Sequence, residues 1–167
     1  MLVILGGLPA TGKSTIAKAL SAKRAATYVR VDEIEQAVLN ETGEDAGRLG
    51  YVVAQTIAAS NLQLGLEVIA DSVNPIEASR KGWRDAAQRS GCSSIEVEVV
   101  CSDVQIHRSR AEQRPSDVDG LVHPTWTEIS ERNFEPWGSA HLRLDTSILE
   151  VDGAVASIEA QIAQVLG

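Results

Sequence analysis

The chain has few of the residues that would place it outside the ordinary globular class. Of its 167 residues only two are cysteine, five are proline and six are aromatic (three Trp, two Tyr and one Phe). Cys92 and Cys101 show neither metal-ligand spacing nor a nearby histidine cluster, so reduced thiols are expected. With 44% hydrophobic and 23% charged residues, the scarcity of Gly and Pro excludes collagen-like, low-complexity and disordered chains. No long apolar run opens the sequence. Leu2 to Leu5 is too short for a signal-peptide core or a membrane span, so a cytoplasmic protein without a membrane partner is expected. Linkers and internal repeats are also missing, and the length suits one domain covering residues 1–167.

One further absence is local. Residues 1–30 contain Lys13, Lys18, Lys23, Arg24 and Arg30 but no acid, although the whole chain has 15 basic and 23 acidic side chains and a net charge of -8. That balance argues against a broad basic face for long nucleic acid. It leaves room for an isolated basic pocket that takes an anion. Lys18, Lys23 and Arg24 read as a solvated helix face.

Short apolar runs alternate with longer amphipathic ones, the pattern of repeated strand-helix-strand units around a parallel sheet. Strands are expected at about residues 2–5, 27–31, 67–71, 94–101 and 140–144. The fourth alternates Ile95, Val97 and Val99 with Glu96 and Glu98, which reads as a half-exposed strand near the sheet edge. Asn74 and Pro75 predict the start of a helix running to Arg89. Ser102 with Gln105, and Thr125 with Glu128, fit capping boxes. A helix over 45–64 is expected to bury Leu49, Val53, Ile57 and Leu64, and the last helix to bury Val155, Ile158, Ile162 and Val165 after an Asp152 cap. Residues 115–123 (PSDVDGLVH) read as a mobile surface loop.

The most informative stretch is LVILGGLPATGKST, an apolar strand followed by Gly7, four residues, then Gly12, Lys13 and Ser14. Ile16, Ala17 and Leu20 continue at helical spacing, so the G-x-x-x-x-G-K-[ST] pattern lies between a strand and a helix as its chemistry requires. Gly7, Leu8, Pro9, Ala10, Thr11, Gly12, Lys13, Ser14 and Thr15 would form the nucleotide cradle, its backbone N–H groups converging on phosphate oxygens. Proline, lacking an N–H, contributes only shape to this cradle. Lys13 would reach the β and γ phosphates, and the Ser14 hydroxyl would ligate Mg²⁺. Asp71 closes the apolar run Val68-Ile69-Ala70, and a carboxylate at such a strand end is placed to hold Mg²⁺ through water; an ordinary turn aspartate is the other reading.

GLPATGKS, together with VRVDEIE, VIADSVNP, HRSRAEQR and a PTW...FEPW...LRLDT region, resembles the small P-loop kinases related to the shikimate, gluconate, adenylylsulfate and chloramphenicol phosphotransferase enzymes. The resemblance is nearest to an AAA-type kinase group and covers nearly the whole chain. It implies an α/β, three-layer P-loop NTPase fold: a five-stranded parallel sheet, helices on both faces and a helical lid at about 108–124. It also implies ATP- and Mg²⁺-dependent phosphorylation of a small-molecule hydroxyl by a monomer or weak homodimer. The carboxylate matching Asp32 contacts the acceptor hydroxyl in such kinases, although Asp32 with Glu35 also fits a capping box. Arg110 and Arg114 match a lid pair that clamps the phosphates, with Arg110 also touching the nucleotide; pairing with Glu112 is the alternative.

Arg80 and Arg84, four apart, read equally as holders of an anionic substrate or as solvated charges. Trp83, Trp126, Phe134 and Trp137 read as core or as a substrate wall, and His107, His123 and His141 as structural. Asp145-Thr146 resembles an adenine-side loop. Two other functions fit part of the pattern: a nucleotide-binding regulatory module without turnover, and a nucleotide or nucleic-acid 5′-end kinase.

Overall fold

The computed structural model describes residues 1–167. Its strands are β1 (Leu2–Gly6), β2 (Thr27–Arg30), β3 (Val68–Asp71), β4 (Ser94–Val100) and β5 (Leu142–Asp145). They form one sheet in the order β2-β3-β1-β4-β5, and every neighbouring pair is parallel. Parallel neighbours require crossovers, and helices supply them. These are α1 (Lys13–Arg24), α2 (Val31–Thr42), α3 (Arg48–Gln63), α4 (Glu77–Arg89), α5 (Val104–Gln113), α6 (Trp126–Ser130) and α7 (Val151–Leu166). None is long and apolar enough to cross a membrane.

β1 supplies both cores because its side chains alternate between the sheet faces. Val3 and Leu5 pack with Ile16 and Leu20 of α1 and with Val155 and Ile158 of α7. Leu2 and Ile4 pack with Ala54, Ala58 and Leu62 of α3 and with Trp83 of α4. A strand covered on both faces has no polar side to show, which accounts for the unbroken LVIL run. The result is a three-layer α/β sandwich.

Several local expectations require correction. The helix expected over 45–64 starts at Arg48, because the Asp45 carboxylate accepts the Gly47 amide in a turn just before it. Its buried side is Gly50, Ala54, Ala58 and Leu62, whereas Leu49, Val53, Ile57 and Leu64 are exposed. Small residues let α3 lie close to its neighbours, and that close approach selects which side turns inward. Asn74 does not cap α4, which starts two residues beyond Pro75. Its side chain is buried instead, donating to the Leu5 carbonyl and accepting from the Trp83 indole. Asp103, not Ser102, caps α5 by accepting the Gln105 and Ile106 amides. Glu150 rather than Asp152 occupies the α7 N-cap, and Val165 is exposed. The Thr125–Glu128 capping box forms as expected. β4 is not an edge strand, because β5 flanks it, and Glu96 is buried rather than solvated, paired with Arg84 of α4 at 2.6 Å.

Candidate active site

The loop between β1 and α1 lies at the C-terminal edge of the sheet, near the point where the chain turns to opposite sides of β1. This crevice is the usual ligand position in open parallel sheets. A Cβ on Gly7 would come within 2.1 Å of the Val99 carbonyl oxygen, so only glycine allows the backbone to pass there. The Thr11 hydroxyl donates to the Leu8 carbonyl at 2.9 Å, and the His107 Nε2 lies 2.8 Å from the Pro9 carbonyl. His107 is thus a structural brace beneath the loop. Gly12 caps α1 without any side-chain hydrogen bond, and the first turn has no acid. The first amides of α1 and the positive end of its dipole are left for an anion.

Lys13 follows at once and is only 4% exposed. Burial holds its ammonium group below the ordinary lysine range, with Asp71 and Asp32 opposing that effect. Asp71 ends β3 and is 1% exposed. Its Oδ2 accepts the Tyr28 hydroxyl at 2.7 Å and lies 3.9 Å from the Arg30 Nε. Its Oδ1 is buried with no hydrogen-bond partner. Burial and Asp71 together push the Tyr28 hydroxyl upward, so it remains a protonated donor. The orphaned Asp71 carboxylate oxygen and the Ser14 hydroxyl at the start of α1 are each hard-oxygen donors of the kind Mg²⁺ takes, although Ser14 lines the first of two cavities here and Asp71 neither. No three His, Cys, Asp or Glu side chains gather into a protein-only metal cage, so other oxygens must complete such a shell.

The two cavities meet at Lys13. The first, about 330 Å³, is lined by Ala10, by Gly12 and the first turn of α1 to Ile16, by Arg110 and Arg114, and by Thr146, Leu149 and Val151 on the far side. The second, about 460 Å³, contains Asp32, Glu35, Tyr51 and Arg132. Lys13 and Arg114 line both. Asp32 lies in the first turn of α2 rather than at the end of β2, and Arg30 occupies the N-cap, so the capping alternative for Asp32 is not realised. Within the second cavity the Glu35 carboxyl is pushed up to about 7, mainly by burial and then by Asp32 and Asp45.

Arg110 lies on α5 and donates to the Thr146 hydroxyl at 2.8 Å and to the Thr146 carbonyl at 3.0 Å. Thr146 in turn donates to the Thr11 carbonyl at 2.7 Å, tying the segment after β5 to the phosphate loop. Arg114 ends α5 and meets the His123 Nδ1 at 2.6 Å. Both arginines therefore reach the first cavity, as their four-residue spacing requires. Arg108 instead pairs with Glu112 on the exposed side of α5.

Other candidates have different work. Arg80 is buried and donates to the carbonyls of Asn74, Pro75, Glu135 and Pro136, with its guanidinium over Phe134 and Trp137. Arg84 pairs with Glu96 and Glu77. Neither lines the two cavities. Trp83 and Trp137 are core. Lys18 and Lys23 lie on an exposed helix face as expected, with Arg24 half-buried, and the three pair with Asp117, Glu159 and Glu67. Arg30 was missed by sequence reasoning: it is buried between Asp71 and Asp117, with Nη1 2.9 Å from both Asp117 oxygens. Its signal was position, a basic residue at the C-terminal end of a strand in a parallel sheet.

Solved structures share this fold over nearly the whole chain. An adenylylsulfate (APS) kinase from Mycobacterium tuberculosis, solved with AMPPNP and APS, is 16% identical with a TM-score of 0.73, and the match covers 97% of this chain and 96% of that one. A tunicamycin resistance protein from Deinococcus radiodurans is 15% identical, TM-score 0.69, with 96% and 94% covered. A gluconokinase from Sinorhizobium meliloti is 14% identical, TM-score 0.67, with 98% and 91% covered. No curated protein sequence matches the chain. The family described as an AAA domain matches residues 2–133, and the chain belongs to that family.

Proposed function

We propose that the protein transfers the γ-phosphoryl group of ATP to a hydroxyl of a small molecule, with Mg²⁺ as cofactor. The observation that carries this reading is the pair of cavities sharing Lys13 and Arg114 as a common wall. A donor nucleotide on the loop side and an acceptor on the Asp32 side would meet at that wall. Phosphoryl transfer depends chiefly on such positioning and on charge stabilisation.

In this reading residues 7–15 hold the phosphates, with Arg110 beside them, and Leu149 and Val151 offer an apolar surface to the base. Ser14 and Asp71 would hold Mg²⁺, which when bound offsets phosphate charge. Asp32 orients the acceptor hydroxyl and takes its proton as the oxygen bonds to the γ phosphorus and the bond to the β-γ bridging oxygen breaks, releasing ADP. Lys13 and Arg114 stabilise the charge that develops at the shared wall, under a lid formed by the end of α5 and residues 114–124.

Lys13→Ala is expected to weaken ATP binding, read by titration calorimetry, and to lower transfer by roughly a hundredfold or more. Full ATP affinity in that variant would overturn the reading. Asp32→Asn separates an enzyme from a non-catalytic module. It should keep ATP affinity and lose roughly a hundredfold or more in phosphorylation of acceptors found by screening hydroxyl compounds for phosphate gain.

A further inference from the structure

The two arginines of the first cavity are held by neutral partners. Arg110 donates to the hydroxyl and the carbonyl of Thr146, and the Arg114 guanidinium donates to the Nδ1 of His123 at 2.6 Å. Neither pairs with a carboxylate. Arg24, Arg30, Arg84 and Arg108, none of which lines that cavity, each pair with one. A carboxylate would fix a guanidinium and offset its charge, whereas a neutral acceptor fixes it and leaves the whole charge facing the cavity.

The sequence accounts for part of this placement. Pro115 follows Arg114 and keeps its backbone extended, at φ -68° and ψ 132°, so α5 ends there and the side chain leaves the helix. The guanidinium then depends on His123, at the far end of the loop, for its one side-chain hydrogen bond. For Nδ1 to accept, it must keep its lone pair, which puts the ring proton on Nε2. That nitrogen lies 3.4 Å from the Pro115 carbonyl oxygen, an acceptor that suits the same tautomer. The imidazole is thus neutral and fixed at both nitrogens, and it lines the acceptor cavity beside Arg114.

We infer that His123 is a positioning residue for phosphoryl transfer, its Nδ1 aiming the Arg114 guanidinium at the γ phosphate without offsetting its charge. The inference rests on the reading above, in which Arg114 stabilises charge at the wall between the cavities. His123 acts through Arg114 and gives the phosphates no contact of its own. An unfastened arginine would lose side-chain freedom each time it met the phosphate, so prior fixation strengthens the contact.

Titration calorimetry of the full chain with ADP and with AMPPNP, each with Mg²⁺, reads the γ-phosphate contact without needing an acceptor. The variants are Arg114→Ala, His123→Leu, His123→Asn and the double variant that combines the first two. The native protein is expected to bind AMPPNP more tightly than ADP, and Arg114→Ala to lose roughly tenfold in AMPPNP affinity. His123→Leu should lose roughly fivefold in AMPPNP affinity with ADP affinity unchanged, and should cost nothing further in the Arg114→Ala background. The Asn carboxamide oxygen is bonded to Cγ, as Nδ1 is, so His123→Asn should recover most of the loss. A His123→Leu variant that weakens ADP and AMPPNP alike, weakens neither, or adds its loss to that of Arg114→Ala overturns the inference and leaves the kinase reading in place, as does an Asn variant no better than the Leu one. A native protein without the AMPPNP preference, or an Arg114→Ala variant that keeps it, overturns the inference together with the role given to Arg114 in the proposed function.

Discussion

Burial, with Asp32 and Asp45 nearby, pushes the Glu35 carboxyl up to about 7, while Arg132 opposes the shift. The folded chain therefore binds this proton more tightly than an unfolded chain, in which the value is 4.5. The stabilisation is complete below that unfolded value and disappears as pH rises through about 7. Glu35→Gln, which never ionises, should remove this loss. Urea midpoints measured at about pH 5 and about pH 8 are expected to lie closer together in the variant than in the native protein, and an unchanged gap would contradict the assignment. Asp32, which lines the same cavity, was legible through the resemblance of the VRVDEIE segment to its kinase relatives. Glu35 was legible only as half of a capping box, because its burial depends on how α2, α3 and residues 121–124 close around it.

At the scale of elements, the Asp117 side chain ties residues 114–124 to two distant elements, beside a hydrogen bond at 3.4 Å from the Asn40 amide to the Asp119 carbonyl. Asp117 accepts from Lys18 of α1 at 2.5 Å and from Arg30 at the start of α2 at 2.9 Å. The Lys18 hydrogen bond, with Arg30 beside it, holds the Asp117 carboxyl down at about 2. A lowered carboxyl contributes above the ordinary aspartate range and loses its contribution as pH falls through about 2, so the fastening is intact at neutral pH. Asp117 is half exposed, and exposed ion pairs are worth about 1 kcal/mol or less, so its loss should free the loop rather than unfold the chain. Asp117→Asn is expected to raise the rate of limited proteolysis within residues 114–124 by roughly fivefold, with an unchanged global unfolding midpoint. The turn residues of PSDVDGLVH announced a loop correctly. That the loop is pinned to two distant elements was invisible, because the pinning partners are 87 and 99 positions away in sequence.

For the molecule as a whole, Arg80 joins the first half of the chain to the segment that leads into β5. It satisfies carbonyls at Asn74 and Pro75 on one side and at Glu135 and Pro136 on the other, and stacks on Phe134 and Trp137. Arg80→Met keeps apolar bulk but leaves the buried Asn74 carbonyl without this donor, while the Pro75 carbonyl still accepts the Glu135 amide. Such a group costs about 1–3 kcal/mol, so the variant is expected to lose roughly 2 kcal/mol in chemical unfolding. Retention of native stability would show that water replaces the guanidinium. From spacing alone Arg80 could equally have been a substrate contact, because sequence does not reveal whether a helix face meets solvent or another part of the chain.

The sequence by itself determined the strand runs, the parallel α/β class and the phosphate loop. Each is encoded within a few consecutive residues: apolar runs buried on both faces, glycines where the backbone crosses Val99, and an acid-free first turn of α1. The tertiary structure decided what depends on residues far apart in sequence. It put Arg30 between Asp71 and Asp117, gave Lys13 and Arg114 to two cavities at once, and turned the alanines of α3 inward with its larger aliphatics outward. Local motifs follow from backbone preferences that act over a few residues. Burial and ion pairing follow from which distant surfaces come into contact, and only the closed fold sets that.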